Sequence, residues 1–538
     1  MFKMTSLDFL HAIPDLPLSP WVALFIAGLV GFAAIYRSSQ PFKRVGKSWL
    51  FSLLSGPWGM TFTTEKHVQY GYENAIKATS KPFIMKWWGL DHIFLPRKYL
   101  PDLRRADAHR LSFFKNLNEA FSLDASFGDL YSSNLMADVV RREINPRLAQ
   151  ITPLLESEAT YAIAQEIGSS QDWLSFPAAQ LFSRIMHRTT SRILVGSELC
   201  RDESFLETSQ ALGESTFTNA SIFSMLPPLG PFGRPVRRFI SCLFHQRVLR
   251  QTVDIVLPVV QSRFDNFQAP ASTPGNTNNK HLDAIEWTLR LISTTYPVEH
   301  DPYRITLTLL QNLWASNAGP AEILTQMIFQ ILLDPVYLPP LRSEIESAFT
   351  TTHGGGFTEK ALNKMPLLDS FLREINRLYP TDAVTCARTV TDPSGFVFHD
   401  GLRLPAGSRI AVPALAIQTD VANYEDPLRF DGWRFARLRD ASPKSEGEQG
   451  ETASGESKYG AATVSETYLP FGIGRHSCPG RWYAILMIKL VFAKLILEYA
   501  LKWDLNEGVI QKVRPASRSL NGMFAPNQTQ KVWLRRRG

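Results

Sequence analysis

Cysteine is scarce in this sequence: four cysteines occur among 538 residues. They are Cys200, Cys242, Cys386 and Cys478, and no two are spaced closely enough to form a metal-binding pair. Four cysteines in a chain of this length do not make a disulfide framework, which excludes the disulfide-stabilised secreted class. We therefore expect the folded part of the chain to lie in the reducing cytosol.

Runs of basic residues and internal repeats are also missing. The net charge is +7, from 57 basic and 50 acidic residues spread along the chain, and this distribution does not predict nucleic-acid binding. Hydrophobic residues make up 44% and charged residues 20% of the chain, which is typical of a globular protein. Length alone would allow roughly three or four domains, but no long linker divides the sequence.

Long hydrophobic runs are represented by one segment near the N-terminus, residues 16–36, which carries no charge. About 20 apolar residues span a bilayer, so this run predicts a transmembrane helix. Basic residues follow it at Arg37, Lys43, Arg44 and Lys47. The positive-inside rule then places the rest of the chain in the cytosol. A cleaved signal peptide is the alternative, but its positive charge should precede the apolar run. We predict a membrane anchor with a basic linker at residues 1–44 and one globular domain at residues 45–538.

Helical periodicity dominates the sequence after the anchor. Residues 386–412 differ, because apolar residues alternate there with Gly and Pro turn signals and predict short strands. Two segments rich in turn-forming residues, 268–280 and 442–458, are predicted to be surface loops. The predicted fold class is mainly α with a minor β region.

The longest predicted helix begins at Pro302, capped by Asp301, and ends near Asp334. Its length of about 33 residues corresponds to roughly 50 Å, enough to cross a whole domain. Gly319 and Pro320 stand side by side at its centre, where a Pro costs about 3 kcal/mol and a Gly about 1 kcal/mol. A functional role is one explanation for this pair, and a bend that serves packing is the other.

The clearest chemical signal is the sequence FGIGRHSCPGRWYA at residues 471–484. Cys478 stands in a Gly-rich turn directly before an apolar helical run, where the backbone N–H groups of a helix N-terminus favour an anion. Arg475, His476 and Arg481 add positive charge, so the pattern favours a thiolate. A lone cysteine is otherwise more often a small core residue. The glycines of the turn leave room for a flat ligand to approach the backbone.

This segment resembles the heme-binding loop of the cytochrome P450 family at Phe471, Gly472, Gly474, Arg475, Cys478 and Gly480. Two further matches occur in the order that the family has. Glu374 and Arg377 in the sequence EINR lie one helical turn apart and resemble the family's Glu-x-x-Arg pair. The sequence PLRFDGWRF resembles the loop that adds another arginine to that pair, here Arg434. The resemblance covers the chain after the anchor and implies a cytochrome P450 fold preceded by an N-terminal transmembrane helix.

The resemblance also implies a cofactor, heme b, with its iron bound by the thiolate of Cys478. The other contacts with heme would come from Phe471, Gly472, Arg475, His476, Gly480, Arg388 and Arg141. Of these, Arg388, His476 and Arg141 are expected to bind the heme propionates. The family's usual Trp-x-x-x-Arg propionate motif is absent, and Arg142 is the alternative to Arg141.

The central helix departs from the family pattern. In the family this helix usually carries an acid followed by Thr, which deliver protons for the reduction of dioxygen, and those positions are Ala318 and Gly319 here. Neither side chain relays a proton. The sequence NAGPA instead resembles that of prostacyclin synthases, which rearrange a peroxide without a reductase, and of sterol 7α-hydroxylases, which are monooxygenases. The pattern alone does not distinguish the two reactions.

Three residues of this helix are candidates for oxygen or substrate handling: Asn317, Gly319 and Pro320. Pro320 has no N–H, so the carbonyl of Ser316 loses its helical donor and becomes available to water or substrate. Asn317 offers both a donor and an acceptor, and Gly319 permits close approach to the backbone. Glu322 is able to share the face of Gly319, although a solvated or paired glutamate is the simpler expectation.

The function that the resemblance implies is a membrane-anchored monooxygenase. Its substrate would be an apolar small molecule, such as a terpenoid intermediate of fungal secondary metabolism, oxidised by hydroxylation or a related step. NADPH-cytochrome P450 reductase would supply electrons over the face of the Cys478 loop. The location would be the endoplasmic reticulum membrane, with one span, membrane lipid as a further partner and the catalytic domain in the cytosol.

Two alternatives to this function are retained. The first keeps the heme but makes the protein an isomerase or rearrangement enzyme, acting on a peroxide or by oxidative ring expansion. The second is a non-catalytic heme-binding or scaffold protein. Turnover without reductase and NADPH would favour the first alternative, and turnover of any substrate would exclude the second.

Overall fold

A computed structural model of the chain describes residues 42–46, 63–225, 233–268, 281–296, 300–351, 356–441, 458–503 and 513–538. The chain divides into two units, Met1–Arg44 and Val45–Gly538. The first unit contributes the short strand Lys43–Arg44 to the described part. The transmembrane helix predicted at residues 16–36 lies outside the described residues.

Within the described ranges, no single helix combines the length and the apolar character that a membrane span requires. One pair of successive helices, Pro302–Leu333 and Pro335–Thr350, meets that criterion when taken together, with a bend of 102° between them.

The second unit is mainly helical. Its α-helices are α1 (Thr64–Gly71), α2 (Leu100–Arg105), α3 (Phe113–Phe121), α4 (Leu123–Phe127), α5 (Leu135–Asp138), α6 (Leu148–Ile167), α7 (Ala178–Leu194), α8 (Glu203–Met225), α9 (Gly233–Phe244), α10 (Gln246–Gln268), α11 (Ala284–Thr295), α12 (Pro302–Leu333), α13 (Leu338–Thr350), α14 (Glu359–Asn363), α15 (Pro366–Leu378), α16 (Ala414–Gln418), α17 (Arg434–Asp440) and α18 (Arg481–Glu498). Two π-helical segments, Tyr72–Lys77 and Val139–Ile144, continue α1 and α5.

The strands of this unit are short. They are β1 (Phe83–Trp87), β2 (Leu90–Phe94), β3 (Leu111–Ser112), β4 (Leu174–Pro177), β5 (Thr385–Val390), β6 (Phe396–Val397), β7 (Arg403–Leu404), β8 (Arg409–Val412), β9 (Tyr499–Trp503), β10 (Arg518–Leu520), β11 (Met523–Ala525) and β12 (Lys531–Arg536). Among residues 45–538, one sheet has the order β1-β2-β8-β5-β3 and a second has the order β9-β12-β4. The pairs β6–β7 and β10–β11 form separate two-stranded sheets.

Strand β5 is irregular at the position that matters for the site. Its pairing with β8 shifts between Thr385 and Arg388, and Cys386, inside this irregularity, has a φ of 57°. A β-bulge of this kind turns side chains out of the regular alternation. Arg388 therefore follows a local kink, which directs it towards the loop that contains Cys478.

Helix α12 crosses the core of the unit. Its N-terminus is capped by Asp301, whose carboxylate accepts the N–H of Tyr303 at 3.1 Å, and the helix ends at Leu333. Residues 305–313 and 320–331 are buried, apart from Glu322, whereas residues 314–319 are accessible. An accessible window in the middle of a buried helix indicates that this stretch faces an internal cavity. The helix packs against α7, α10 and α18.

The structure confirms a mainly α fold with a minor β region. The predicted bounds of the central helix agree with α12 to within one residue, and the region 386–412 contains strands β5 to β8. The two predicted surface loops fall almost wholly on residues 269–280 and 442–457, which lie outside the described ranges.

Candidate active site

The loop that contains Cys478 is folded by its own backbone. The N–H of Cys478 donates to the carbonyl of Phe471 at 2.8 Å, and the N–H of Gly472 donates to the carbonyl of Leu469 at 2.9 Å. Gly472 and Gly474 have φ values of 68° and 73°, in the left-handed region that favours glycine. Because the loop is tightened in this way, Cys478 comes to lie directly before α18.

Gly474 also permits a close approach to α2. A Cβ atom at Gly474 would lie 2.7 Å from the Cα of Arg104 and 2.9 Å from its carbonyl oxygen. Real Cβ atoms essentially never approach the backbone so closely. The loop is therefore seated against the backbone of α2 at a position where only glycine fits.

We predict that Gly474→Ala lowers the free energy of unfolding by about 2–5 kcal/mol. About 1–2 kcal/mol would come from the left-handed backbone and about 1–3 kcal/mol from the steric conflict with Arg104. Gly401→Ala is a matched control, because Gly401 has a φ of 86° but open space around its Cβ position. Denaturant melts of both variants would measure the difference. Equal losses in the two variants would show that Arg104 does not constrain the loop.

The Cys478 side chain is accessible and yet enclosed by protein, as a thiol facing an internal cavity would be. Burial raises its pKa above the ordinary value, and this outweighs the opposing N–H groups of Gly480 and Arg481 and the charges of Arg481 and Arg141. Burial by itself therefore opposes ionisation of this thiol. Coordination to a metal ion deprotonates a thiol outright, so iron binding would supply the missing stabilisation.

The three groups that were expected to add positive charge near the thiol differ in their surroundings. The Arg475 side chain is exposed, and its backbone carbonyl rather than its guanidinium contacts the rest of the site. Burial, followed by the charge of Arg388, lowers the pKa of His476 to about 4, so His476 is neutral at pH 7. Of the three, Arg481 remains, and its Nη1 donates to the carbonyl of Cys478 at 2.8 Å.

Arg388 and His476 converge without an acidic partner. Arg388 is buried and donates to the carbonyls of Ala387 at 2.7 Å and Ile473 at 3.4 Å, while Phe113 lies beneath its guanidinium at 5.7 Å. Burial lowers the pKa of Arg388 to about 10. No carboxylate among the described residues pairs with it, and Nε2 of His476 is buried with no partner. Such a pair of groups fits an anionic ligand.

Arg141 and Arg142 have different surroundings. Nη2 of Arg141 donates to the carbonyl of Arg475 at 2.9 Å, so this side chain reaches the Cys478 loop. Both side chains are exposed and lie near Asp138, Arg142 at 3.1 Å and Arg141 at 3.8 Å, but within the described ranges no hydrogen bond or ion pair joins Arg142 to the loop. Asn145, which the sequence did not single out, adds a second contact by donating to the carbonyl of Pro479 at 2.9 Å. The geometry therefore favours Arg141 over Arg142 as a neighbour of the loop.

Glu374 and Arg377 form a buried ion pair, with both side chains 0% exposed and Nη2 at 2.7 Å from Oε1. Arg434 approaches the same carboxylate at 3.2 Å, and the N–H of Asp431 donates to it at 3.1 Å. The expected association of Glu374 with Arg377 and Arg434 is confirmed.

A glutamine that the sequence gave no reason to select links this network to the cysteine loop. Arg377 donates to the carbonyl of Gln418 at 2.8 Å, and Oε1 of Gln418 accepts the N–H of Leu469 at 2.7 Å. Leu469 stands at the start of the Cys478 loop. The ion pair therefore supports the loop through Gln418.

The accessible window of α12 has an aromatic wall. The ring of Trp314 lies 5.4 Å from that of Phe217 and 6.2 Å from that of Phe121, measured between centroids. Nε1 of Trp314 and Oδ1 of Asn317 are both buried with no hydrogen-bond partner. Gly319 faces Thr381, whose Cγ2 lies 3.9 Å from the position that a Cβ on Gly319 would take. The window thus combines apolar surface with a few unpartnered polar atoms.

These features together meet the requirements of a porphyrin site. An accessible thiol in a Gly-rich loop suits an iron ion, and an unpaired guanidinium beside an unpartnered imidazole suits the propionates. The accessible window of α12 leaves room for a ligand beside that helix. Helix α12 packs against α18, which follows the thiol. Phe471, Gly472 and Gly480 shape the loop itself, and Val140 lies 3.8 Å from the Cβ position of Gly480.

Comparison with known proteins agrees with this geometry. The family model for cytochrome P450 matches residues 135–521, a range that includes Glu374, Arg388 and Cys478. The cytochrome P450 monooxygenase sirB of Leptosphaeria maculans is 38% identical over 496 residues, which cover 92% of this chain and 90% of the relative. The cytochrome P450 monooxygenase ccsG of Aspergillus clavatus is 30% identical over 451 residues, 83% of each chain.

A third relative carries the name of a substrate. The ent-kaurene oxidase P450-4 of Gibberella fujikuroi is 26% identical over 462 residues, which cover 85% of each chain. The family model, the named monooxygenases and the site around the Cys478 thiol all indicate the same family. The chain belongs to the cytochrome P450 family and is a monooxygenase whose cofactor is heme b, held by a cysteine thiolate.

Proposed function

We propose that the chain is a membrane-anchored monooxygenase that inserts one oxygen atom into an apolar intermediate of fungal secondary metabolism, such as a terpenoid. The observation that carries this proposal is the accessible thiol of Cys478 beside the unpaired Arg388 and His476. Heme b, when bound there, supplies the reductive activation of dioxygen, which the thiolate promotes by donating electron density.

The residues of the loop have separate roles in the proposal. Cys478 would bind the iron, and Arg388 and His476 would bind the propionates. Arg141, on the π-helical segment Val139–Ile144, holds the loop by donating to the carbonyl of Arg475. The buried guanidinium of Arg388 would gain an anionic partner, which offsets the cost of its burial. The Glu374 network holds the start of the loop at Leu469 and so fixes the thiol in place.

The substrate side of the proposal depends on the window of α12. Trp314, Phe217 and Phe121 supply an aromatic wall, which suits an apolar ligand. Asn317 has an unpartnered oxygen that would orient one polar group of the substrate or a water molecule. Ent-kaurene is a diterpene, so the relatives named ent-kaurene oxidase support a terpenoid as the first class to test.

The sequence and the exposed residues of two regions support the proposed location and redox partner. The apolar residues 16–36 support a single span in the endoplasmic reticulum membrane with the catalytic domain in the cytosol. Helix α9 exposes Phe239 (65%) and Leu243 (58%), which support a contact with membrane lipid. NADPH-cytochrome P450 reductase would dock over the Cys478 loop, where Arg475 is exposed.

A second candidate is a heme-dependent isomerase or rearrangement enzyme. It is favoured by Ala318 and Gly319, which stand where the family usually carries its acid and Thr. A rearrangement of a peroxide needs no proton delivery and no reductase, so it would tolerate this change. The same thiol and the same propionate contacts would serve that reaction.

One experiment distinguishes the two candidates. The full-length chain is expressed in microsomes with and without a reductase and supplied with a panel of terpenoid hydrocarbons and hydroperoxides under ¹⁸O₂. Monooxygenation predicts a product with one ¹⁸O atom that forms only with NADPH and reductase. An isomer of a hydroperoxide, formed without NADPH and without the label, would establish rearrangement. A ferrous–carbon monoxide spectrum lacking the thiolate-type red-shifted Soret band would overturn both.

A further inference from the structure

Two acidic side chains lie close enough to interact electrostatically beside the accessible window of α12. Glu322 lies one helical turn after Gly319 and is the accessible exception within the buried stretch 320–331. Asp382 belongs to the segment between α15 and β5, and Cγ2 of its neighbour Thr381 lies 3.9 Å from the position that a Cβ on Gly319 would take.

The alcohol and the acid of this segment are already connected. The hydroxyl of Thr381 donates to Oδ2 of Asp382 at 2.9 Å. The backbone of the segment is fixed by a bridge between Asp382 and Met523 and by the N–H of Phe524, which donates to the carbonyl of Thr381 at 2.8 Å. The methyl group of Thr381 therefore lies near Gly319, while its hydroxyl is held by the carboxylate of Asp382.

No cation neutralises the two carboxyl groups among the residues that the structure describes. Burial, followed by the charge of Asp382, raises the pKa of Glu322 well above its ordinary value. Burial raises the pKa of Asp382 to about 6, against the hydrogen bond from Thr381. Two carboxyl groups without a counter-ion in one enclosed site hold a proton between them near neutral pH.

The other charged groups on the surrounding elements have partners of their own. Glu65 on α1 accepts the hydroxyl of Ser519 at 2.7 Å. Arg514 donates to the backbone carbonyl and the side chain of Gln326 and stacks on the ring of Tyr379 at 3.6 Å. Arg518 on β10 is exposed. None of these three groups forms an ion pair with Glu322 or Asp382 among the described residues.

We propose that Glu322, Asp382 and Thr381 form the proton-delivery group of this enzyme. They would replace the acid and Thr that the family usually carries at the positions of Ala318 and Gly319. The inference rests on the proposed monooxygenase function, because only the reduction of dioxygen consumes protons. One acid, Glu322, lies on α12, whereas the second acid and the alcohol come from a segment that packs on α12.

The protons balance as follows. The overall reaction is RH + O₂ + NADPH + H⁺ → ROH + H₂O + NADP⁺, in which two electrons and two protons reach the oxygen site per turnover. In each delivery the O–H bond of Glu322 breaks and its proton passes to a water molecule at the carbonyl of Ser316, which has no N–H donor at Pro320. That water would pass a proton on to the oxygen being reduced. Glu322, now a carboxylate, would regain one from solvent through Asp382, which Thr381 orients by its hydrogen bond.

The first test needs no turnover. Infrared spectra of the oxidised full-length holoenzyme are recorded from about pH 4 to pH 8 for wild type, Glu322→Gln, Asp382→Asn and the exposed control Glu207→Gln. We expect a protonated-carboxyl band in wild type that persists near neutral pH, is lost in Glu322→Gln, and titrates at lower pH in Asp382→Asn. A band unchanged in both variants, or one titrating like an exposed carboxyl group, would overturn the proposal.

Thermal melts give a second readout with a defined sign. Native Asp382 keeps its proton up to about pH 6, whereas an unfolded Asp loses it near pH 4, so wild type loses stability as pH rises through this window. The melting temperature of Asp382→Asn, relative to wild type, should therefore rise between about pH 4 and pH 7. A constant difference across that range would contradict the assignment.

The turnover test uses NADPH, dioxygen and the reductase as probes. The rate of oxygen consumption that yields water should fall on the order of 10²-fold in Glu322→Gln, while peroxide release continues. This factor is the low end of the rate contribution of a positioned proton donor. Glu322→Asp, which keeps the acid, should recover part of the loss. An unshifted ratio of peroxide to oxygen would reject the relay. If wild type itself lacks the thiolate-type Soret band, the proposed function fails instead, and the infrared result still decides whether the carboxyl pair holds a proton.

Discussion

Cys478→Ser is expected to abolish NADPH-dependent turnover and to remove the red-shifted Soret band of the ferrous–carbon monoxide complex. A serine hydroxyl neither ionises near neutral pH nor donates the electron density that the thiolate supplies. Two hydrogen bonds of the loop do not involve the sulfur. Arg481 donates to the carbonyl of Cys478, and the N–H of residue 478 donates to the carbonyl of Phe471. The loop should therefore keep its shape, and the loss should be chemical.

The matched control is Cys242→Ser, which replaces another exposed thiol, located on α9. It should leave the spectrum and the turnover unchanged. A thiolate-type Soret band that survives in Cys478→Ser would instead point to Cys386, whose Sγ lies 3.8 Å from the Cβ position of Gly472 in the same loop. A double variant, Cys386→Ser with Cys478→Ser, would identify that ligand directly.

Glu374→Gln should have the largest effect on folding. Arg377 is 0% exposed and directs two nitrogens at this carboxylate at 2.7 Å, so the substitution leaves its charge buried without a counter-ion. Breaking a buried pair in this way costs about 3–5 kcal/mol, a large part of the roughly 5–15 kcal/mol that stabilises a typical domain. We expect little soluble protein and almost no heme incorporation, measured as the ratio of Soret to protein absorbance.

An exposed pair supplies the comparison for this experiment. Glu73 and Lys77 also lie one helical turn apart, at 3.6 Å, but their side chains are 47% and 39% exposed. Such pairs contribute about 0.3–0.5 kcal/mol, so Glu73→Gln should fold and load heme like wild type. If Glu374→Gln also loaded heme normally, the carbonyls of Gln418 and Pro427, which accept from Arg377, would be enough to hold its charge without the carboxylate.

The parts of the site that sequence predicted are those whose geometry is local. The loop at Cys478 needs glycines at fixed offsets because its turns have positive φ, and Glu374 meets Arg377 because they lie one helical turn apart. The bounds of α12 followed from a cap at Asp301 and from continuous apolar periodicity. Each of these depends on neighbours in the chain, so one sequence is enough to predict it.

The parts that sequence missed depend on tertiary contacts. Thr381 and Asp382 meet α12 only because the segment after α15 packs on Gly319. Gln418 joins Arg377 to Leu469 across three separate elements, and no spacing pattern marks it. The burial that raises the pKa of Cys478 is likewise a tertiary property, whereas the nearby charges are visible in the sequence.

The unpaired state of Arg388 and His476 has a consequence for the protein in the cell. A buried guanidinium and a buried imidazole nitrogen without anionic partners make the heme-free chain less stable than the same chain with propionates bound. The two groups thus couple cofactor loading to survival of the newly made polypeptide. In a cell short of iron, unloaded copies would be removed by quality-control proteases, and the supply of porphyrin would set the abundance of the enzyme.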